Sequence, residues 1–450
     1  MASTRVSALR LLKNRNFALL WLGQTISFTG DYFYWLAIQV MVYQLTGSAL
    51  MVGLSVIASA LPMLLLGPIA GVFVDRWDRR RTMIVADVAR GLLVLLCLLV
   101  RSADQVWIYY VASFLLSCVS RFFFPAQNAA LPLIVQDKDD LLAANGLMQA
   151  VQTVTLILGS GLAGLAIGFL GAGAAFAFDA VTFFLSAGTI TLMVVPRTTG
   201  GRRAVGGQIA AVWGEIREGV ACLFGSQTMV GVLICLAAVQ LGIGAINVVW
   251  VPFFQGTFGV GPEGLGVVDL VQGVGMGLGA LVLGLLAARL RKSMLAGWSI
   301  AVIGLLVGGI GLIPQFGYVI PLSFGIGLAL VPGQAALMTM MQLAVPDLKR
   351  GRVGSALNAL TTLAGLLSMA AAAGFGEMIG LRTVYLVCGA IVALSGLLAF
   401  RIREPAPLEE GPRAVGPMEA GAVEEESERV RVVEPIPVSP LVDLEHGGVE

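Results

Sequence analysis

The stretch Gly71-Val72-Phe73-Val74-Asp75-Arg76-Trp77-Asp78-Arg79-Arg80-Arg81 decides the fold. It is a dense charged turn between two almost wholly apolar segments, Ser48 to Phe73 before it and Thr82 to Val100 after it. Each flank is long enough to cross the roughly 30 Å hydrocarbon layer of a bilayer. A turn with four arginines in six residues cannot lie in lipid, so it marks a membrane surface, and the arginines mark that surface as cytoplasmic. Gly71 lets two helices approach closely, and Asp75 stands where the second span ends and the turn begins.

Composition agrees. Of 450 residues 57% are hydrophobic and 12% charged, where soluble domains carry about 25% charged residues. The single histidine, His446, lies near the end of the chain, which removes histidine-based proton relays, metal sites and triads from the membrane. The five cysteines (Cys97, Cys118, Cys222, Cys235, Cys388) show no metal-ligand spacing and read as small packing residues. A basic start (Arg10, Lys13, Arg15) followed by a long apolar segment predicts a spanning anchor rather than a removable signal.

Apolar runs predict twelve spans, near 16–43, 49–73, 82–100, 106–128, 141–170, 174–195, 228–251, 264–288, 294–313, 317–344, 353–379 and 382–400. Loops on the side of Arg76 hold nearly all the loop arginine and lysine, among them Arg15, Lys138, Arg202, Arg203, Arg289, Lys292, Arg350 and Arg401. The opposite loops hold essentially Arg101 and Arg382. This asymmetry, with an even span count, places both termini on the cytoplasmic side.

The chain then divides. Residues 1–195 form an N-terminal six-helix bundle, 196–227 a cytoplasmic linker, 228–403 a C-terminal six-helix bundle, and 404–450 a Pro/Glu/Gly-rich tail read as disordered. In the linker, 209–224 is amphipathic, with Trp213, Ile216, Val220 and Phe224 on one face. It is expected to lie on the membrane surface or to be a solvated helix. The halves echo each other. Leu66-Gly67-Pro68-Ile69-Ala70-Gly71 and its basic turn compare with 283–292, Phe124-Pro125-Ala126-Gln127 with Val331-Pro332-Gly333-Gln334, and Ala144-Asn145-Gly146-Leu147 with Leu357-Asn358-Ala359-Leu360. Repeated halves of six spans are a transporter architecture with its site near the midplane. The fold class is therefore all-α membrane protein, twelve transmembrane helices in two pseudo-symmetric six-helix bundles.

No phosphate-binding loop and no catalytic constellation is present, so the sequence predicts neither an enzyme nor a cofactor, and any driving energy comes from a gradient. Ionisable residues inside spans are costly and default to function. Asp31 lies about 21 Å up the first span from Phe17, counting 1.5 Å per residue. A carboxyl in a low-dielectric cavity can load and unload protons as the cavity changes sides, and Asp31 is the first candidate, Asp269 the second. The alternative is a fixed ion-pair or hydrogen-bonding role for Asp31. Arg121 either holds a carboxylate near the cavity or satisfies carbonyls at a break beside Pro125. Asp87 and Arg90, three apart, read as a local pair bracing the Asp75 turn. Asp179, and Glu377 meeting Arg382 across the last outer turn, read as structural. Amides facing a cavity (from Gln24, Gln39, Gln127, Asn145, Gln149, Gln152, Gln240, Asn247, Gln334 and Asn358) would suit bulky amphipathic compounds or serve as helix-to-helix glue.

Leu12-Lys13-Asn14-Arg15-Asn16-Phe17, Gly71-x-x-x-Asp75-Arg76-x-Asp78-Arg79-Arg80, Phe123-Phe124-Pro125-Ala126 running to Ala144-Asn145, and Phe178-Asp179-Ala180-x-Thr182-Phe183 carry a resemblance. Over roughly residues 8–403 the chain resembles the major facilitator superfamily, and more narrowly its macrolide-efflux and enterobactin-exporter-like branch. The resemblance implies the major facilitator fold. It also implies that Gly71, Asp75, Arg76, Arg79 and Arg80 form a cytoplasmic gate latch, with Asp75 facing Arg352–Gly354 when that side is shut. The fifth-span Gly-Pro signature of antiporters is replaced by Gly159-Ser160-Gly161-Leu162-Ala163-Gly164, which keeps a small-residue face without the proline. The expectation is a monomeric secondary transporter of the cytoplasmic membrane, contacting lipid and a small-molecule substrate but no nucleic acid. It would export amphipathic drug-like or siderophore-like molecules by proton antiport with alternating access. The alternatives are lipid or lysolipid movement, and a transport-dead membrane scaffold or sensor.

Overall fold

A computed structural model describes residues 10–196, 205–286, 289–346 and 349–402, and among them there are helices and turns but no strand. The first half comprises α1 (Arg15–Thr46), α2 (Ala49–Val74), α3 (Arg79–Leu96), α4 (Trp107–Ile134), α5 (Lys138–Leu170) and α6 (Ala172–Thr191). A connector helix α7 (Val205–Phe224) leads to α8 (Gln227–Phe258), α9 (Pro262–Leu286), α10 (Lys292–Leu312), α11 (Val319–Ala344), α12 (Arg350–Ile379) and α13 (Leu381–Ala399). Among the described residues eleven helices are long and apolar enough to cross a membrane. The remaining helix of the two sets of six, α1, is long enough at 32 residues but more polar, because Gln24, Ser27 and Gln39 are buried along it.

Helix boundaries follow local chemistry. Asn14, Asp78 and Asp137 cap α1, α3 and α5 by accepting hydrogen bonds from the first free backbone N–H groups. The break considered beside Pro125 is absent, and two helices run past their expected ends. Helix α4 runs through Pro125 and Pro132 to Ile134, and α8 runs through Pro252 to Phe258, past the expected end at 251. Proline is tolerated inside a membrane helix when neighbouring helices satisfy the freed backbone groups.

The two halves repeat in packing as well as in sequence. In the first, α1 packs on α5 and α6, α3 on α4 and α6, and α2 on α4; in the second, α8 packs on α12 and α13, α10 on α11 and α13, and α9 on α11. The four positive-φ glycines fall into matching pairs. Gly47 (φ 66°) and Gly259 (φ 65°) turn α1 into α2 and α8 into α9, while Gly171 (φ 82°) and Gly380 (φ 87°) turn α5 into α6 and α12 into α13. Only a residue without Cβ adopts that backbone cheaply, so each tight reversal is written as glycine.

The halves meet along two seams, α5 against α9 and α2 against α12. At the first, a Cβ on Gly164 would fall against the Gly266 backbone, and one on Gly273 against the side chain and backbone of Ile157. At the second, a Cβ on Gly53 would meet Ala373 and Val248. These contacts lie toward the ends of the helices remote from the Asp75 turn. At the other ends Gly67 and Gly71 of α2, Gly146 of α5, Gly284 of α9 and Gly351 and Gly354 of α12 all face open space. A cleft therefore runs between the halves and opens at the basic end.

The connector helix differs from its expected face. Val220 and Leu223 of α7 pack into a cluster with Val353, Ala356 and Leu357 of α12, and Gly219 lies against the Arg352 carbonyl. Trp213 and Phe224 are exposed. Side chains 205–212, 215 and 216 lie outside the described residues, as does the expected tail from 404. The helix is docked on the second half because burying Leu223 there takes the place of burial in lipid.

Candidate functional site

The first half holds a buried charged cluster built by α1, α3 and α6. Asp87 and Arg90, one turn apart on α3, form an ion pair through Oδ1 and Nη2, with Asp87 0% and Arg90 2% exposed. The Arg90 guanidinium is sandwiched between the rings of Phe123 (4.3 Å) and Phe183 (4.5 Å), so it is a fixed cation. Asp179 of α6 is 0% exposed, and its Oδ2 has no hydrogen-bond partner. Thr182 Oγ1 lies 3.3 Å from its Oδ1. Asp31 of α1 is half-buried, and Gly30 before it lies directly against Asp179.

The Asp87–Arg90 pair expected on α3 forms, but it is buried between Phe123 and Phe183 and does not brace the Asp75 turn. Asp179, read as structural near the outer end of the sixth span, is wholly buried and faces α1, where a Cβ on Gly30 would meet it. A depth count could have found it: seven residues in from Ala172 is about 10 Å from the outer face, close to the depth of Asp31. What could not be counted is that α1 and α6 are neighbours.

The other candidates scatter. Arg121 of α4 is half-buried and faces the Arg90 charge, and it makes neither of the two interactions weighed for it among the described residues. Asp269 is half-buried in α9, on the face carrying Gly266, Leu270 and Gly273 that packs on α5, and so lies at the seam between halves. Gln127 is buried. Asn145 and Gln149 are exposed on α5; Asn145 Nδ2 donates to Leu141 O (2.9 Å), and the Gln149 carbonyl accepts from Thr153.

The second half contains a cavity of about 430 Å³, and Gln240 of α8, Gln334 of α11, and Asn358 and Thr361 of α12 converge on it with Met338 and Met341. None of the residues lining it is ionisable, and it reaches Gly354 at the open end. Gln334 and Gln127 are sequence counterparts with opposite fates, one on a cavity wall and one in a core. A larger cavity, about 630 Å³, lies at the Asp75 turn between Trp77 and Arg81 on one side and Val119 and Phe122 on the other.

The Asp75 turn is tied into the first half. Arg80 donates to the carbonyls of Ile190 and Thr191 at the C-terminus of α6, and Asp78 accepts from Arg81 N at 2.8 Å. Arg79 Nε is buried without a partner. Asn16 donates to Val194 O and accepts from Val194 N, both at 3.0 Å, while Asn14 donates to Ile134 O at 3.2 Å. These bonds tie the basic ends of α1, α3, α4 and α6 into one piece. Asp75 is exposed, and Arg352 pairs instead with Glu218 of α7 at 2.7 Å. At the opposite end Glu377 does not meet Arg382. Its Oε1 accepts from Ser48 Oγ (3.1 Å) and from Ala49 N, capping α2 of the other half. Arg382 instead donates to Ile313 O at 2.9 Å.

Two pseudo-symmetric bundles around a one-sided cleft are the build of an alternating-access membrane transporter. The family model described as Major Facilitator Superfamily matches residues 20–261 and again 232–442, and the chain belongs to that family. It is 30% identical to the uncharacterized MFS-type transporter YfiS of Bacillus subtilis (strain 168), over 84% of this chain and 90% of that one. It is 26% identical to macrolide efflux protein A of Streptococcus pyogenes (86% of this chain, 96% of that one) and to the multidrug efflux pump Tap of Mycolicibacterium fortuitum (81% and 90%). Its fold is shared with a bacterial homologue of the iron transporter ferroportin in an inward-facing state, with TM-score 0.71 and 14% identity over 87% of this chain and 99% of that one. Among the described residues no group of three or more His, Cys, Asp or Glu is placed to hold a metal ion.

Proposed function

We propose that this transporter exports amphipathic drug-like or siderophore-like molecules across the cytoplasmic membrane by proton antiport, with Asp31 as the coupling carboxyl. The observation that carries the reading is the division of labour between halves. Ionisable groups cluster in the first, while the second offers an uncharged cavity of amides and methionines at the open cleft. Such a lining gives hydrogen bonds without fixed charge and adapts to bulky apolar shapes through methionine. The likeness to macrolide and multidrug efflux proteins supports the same substrate class. With the basic end taken as cytoplasmic, the cleft opens inward, the loading state of an exporter.

The test is transport in liposomes under an imposed pH gradient, with a panel of fluorescent amphipathic cations and a catecholate siderophore. Gradient-driven efflux that Asp31→Asn loses supports the reading. Efflux indifferent to the gradient removes proton coupling and shifts the weight to facilitated or lipid transport.

A further inference from the structure

The cavity of about 630 Å³ at the Asp75 turn has no part in the proposed transport. We infer that it is a binding site for an anionic phospholipid of the leaflet at the basic end. Arg81, with Arg76 beside it, would hold the phosphate, and the groove between α3 and α4 would take an acyl chain.

The cavity lies on the lipid side of the first half. Helix α3 packs on α4 and α6 of its own half, and its other face carries Val85, Val88, Leu92, Leu95 and Leu96, all exposed. An exposed apolar stripe on a helix long and apolar enough to span a membrane is a surface for hydrocarbon. Val85 is 66% exposed and also lines the cavity, so the cavity opens sideways through that stripe.

Its lining is graded from polar to apolar along one direction. Arg76, Trp77, Asp78 and Arg81 line the end at the turn. Val85 and Ala89 follow about 6 Å and 12 Å along α3 from Arg81, counting 1.5 Å per residue. Across the groove, Phe122, Val119 and Cys118 of α4 run the same way. The rings of Trp77 and Phe122 lie 5.6 Å apart, and Phe73 packs on both. Tryptophan is enriched at the headgroup level of a bilayer, which sets Arg81 at the depth of a phosphate. Short side chains at Thr82, Ala86 and Ala89 leave the groove room. An unfilled apolar groove forfeits dispersion contacts that an acyl chain supplies.

Charge selects the headgroup. Arg80 is engaged by the Ile190 and Thr191 carbonyls at the end of α6. Arg81 is exposed, and its guanidinium has no hydrogen-bond or ion-pair partner among the described residues. Asp78 also lines the cavity, and its Oδ1 accepts from Arg81 N at 2.8 Å as the cap of α3. The lining thus carries two guanidiniums to one capping carboxylate, and it favours a lipid with net negative charge over a zwitterionic one.

The test uses the purified full chain in an uncharged detergent, with phosphatidylglycerol and phosphatidylcholine of matched acyl chains as probes. Native mass spectrometry should show phosphatidylglycerol retained at lower lipid concentration than phosphatidylcholine. Arg81→Gln should weaken that retention about fivefold, the effect of one arginine at a lipid surface, and Arg81→Lys should restore most of it. Equal retention of the two lipids, or an Arg81→Gln protein that binds as wild type does, overturns the proposal. A phosphatidylglycerol with a photoreactive acyl chain locates the site. Crosslinks are expected within 82–89 and 118–122, and Ala89→Trp, which fills the groove, should abolish them. Should Ala89→Trp fail to fold, Val85→Trp obstructs the groove from its exposed side. Crosslinks confined to other helices overturn the assignment. So does displacement of the crosslink by a fluorescent amphipathic cation but not by unlabelled phosphatidylglycerol, which would make the groove a substrate site.

Discussion

Arg90 is the residue on which the first half turns. It is a cation inside hydrocarbon, kept there by Asp87 and by two aromatic faces. Removing one partner of a buried pair leaves an uncompensated charge and typically costs about 3–5 kcal/mol. Arg90→Leu is therefore expected to lower the thermal unfolding midpoint in detergent well below that of wild type. The double variant Arg90→Leu with Asp87→Asn should recover part of the loss, since it leaves no orphan charge from the pair. An Arg90→Leu protein as stable as wild type would show that the pair contributes nothing to the fold. The sequence made each of these residues visible as an ionisable group in a span and paired Asp87 with Arg90, but had that pair brace the Asp75 turn rather than lie between two aromatic rings. Spacing along one helix reports neighbours on that helix, and these residues matter through neighbours on others.

At the scale of elements, α2 and α12 form a reciprocal pair. Each carries a carboxylate at its end, Asp75 at the C-terminus of α2 and Glu377 near that of α12, and of the two only Glu377 reaches the start of the other helix. Here Glu377 caps α2, and Asp75 is undocked. A side-chain cap is worth about 1 kcal/mol, enough to shift a balanced two-state equilibrium about fivefold. Glu377→Gln should weaken the closed end and raise the population open there. Spin labels at the exposed positions 50 and 378 would then report longer distances, and unchanged distances would rule out a latching role for Glu377. The α5–α9 seam makes the same point through sterics. Gly164→Ala puts a methyl into the Gly266 backbone, an overpacking worth about 1–3 kcal/mol against this state. Substrate-independent opening of that end, read by labelling of a cysteine placed at 270, where Leu270 packs on Gly161 across the seam, is the expected result. Protection equal to wild type would show that the seam yields without cost.

For the whole molecule, alternating access predicts that the open and closed ends exchange. Cysteines at 146 and 354, in a background without native cysteines, should react with a water-soluble maleimide from the basic side in the state described here. They should become protected when substrate and gradient drive the other state. Equal reactivity under all conditions would mean that the cleft does not close. Side-specific labelling in right-side-out and inverted vesicles tests the cytoplasmic placement of that end in the same experiment.

The sequence by itself determined the membrane class, the helices, the repeat and the basic turn after α2. All of these follow from hydropathy and charge along the chain, and a bilayer reads those properties locally, span by span. Even the pairing of halves was legible, because a duplicated architecture repeats its local signals. Only the tertiary structure decided which end is open, that Glu377 reaches α2 instead of Arg382, and that Asp31, Asp87, Asp179 and Arg90 form one cluster. It also decided that Gln127 goes to a core while its counterpart Gln334 goes to a cavity. Those outcomes depend on which helices are neighbours and how the halves are tilted. That choice is made by close approaches such as Gly30 on Asp179 and Gly164 on Gly266, between residues far apart in the chain.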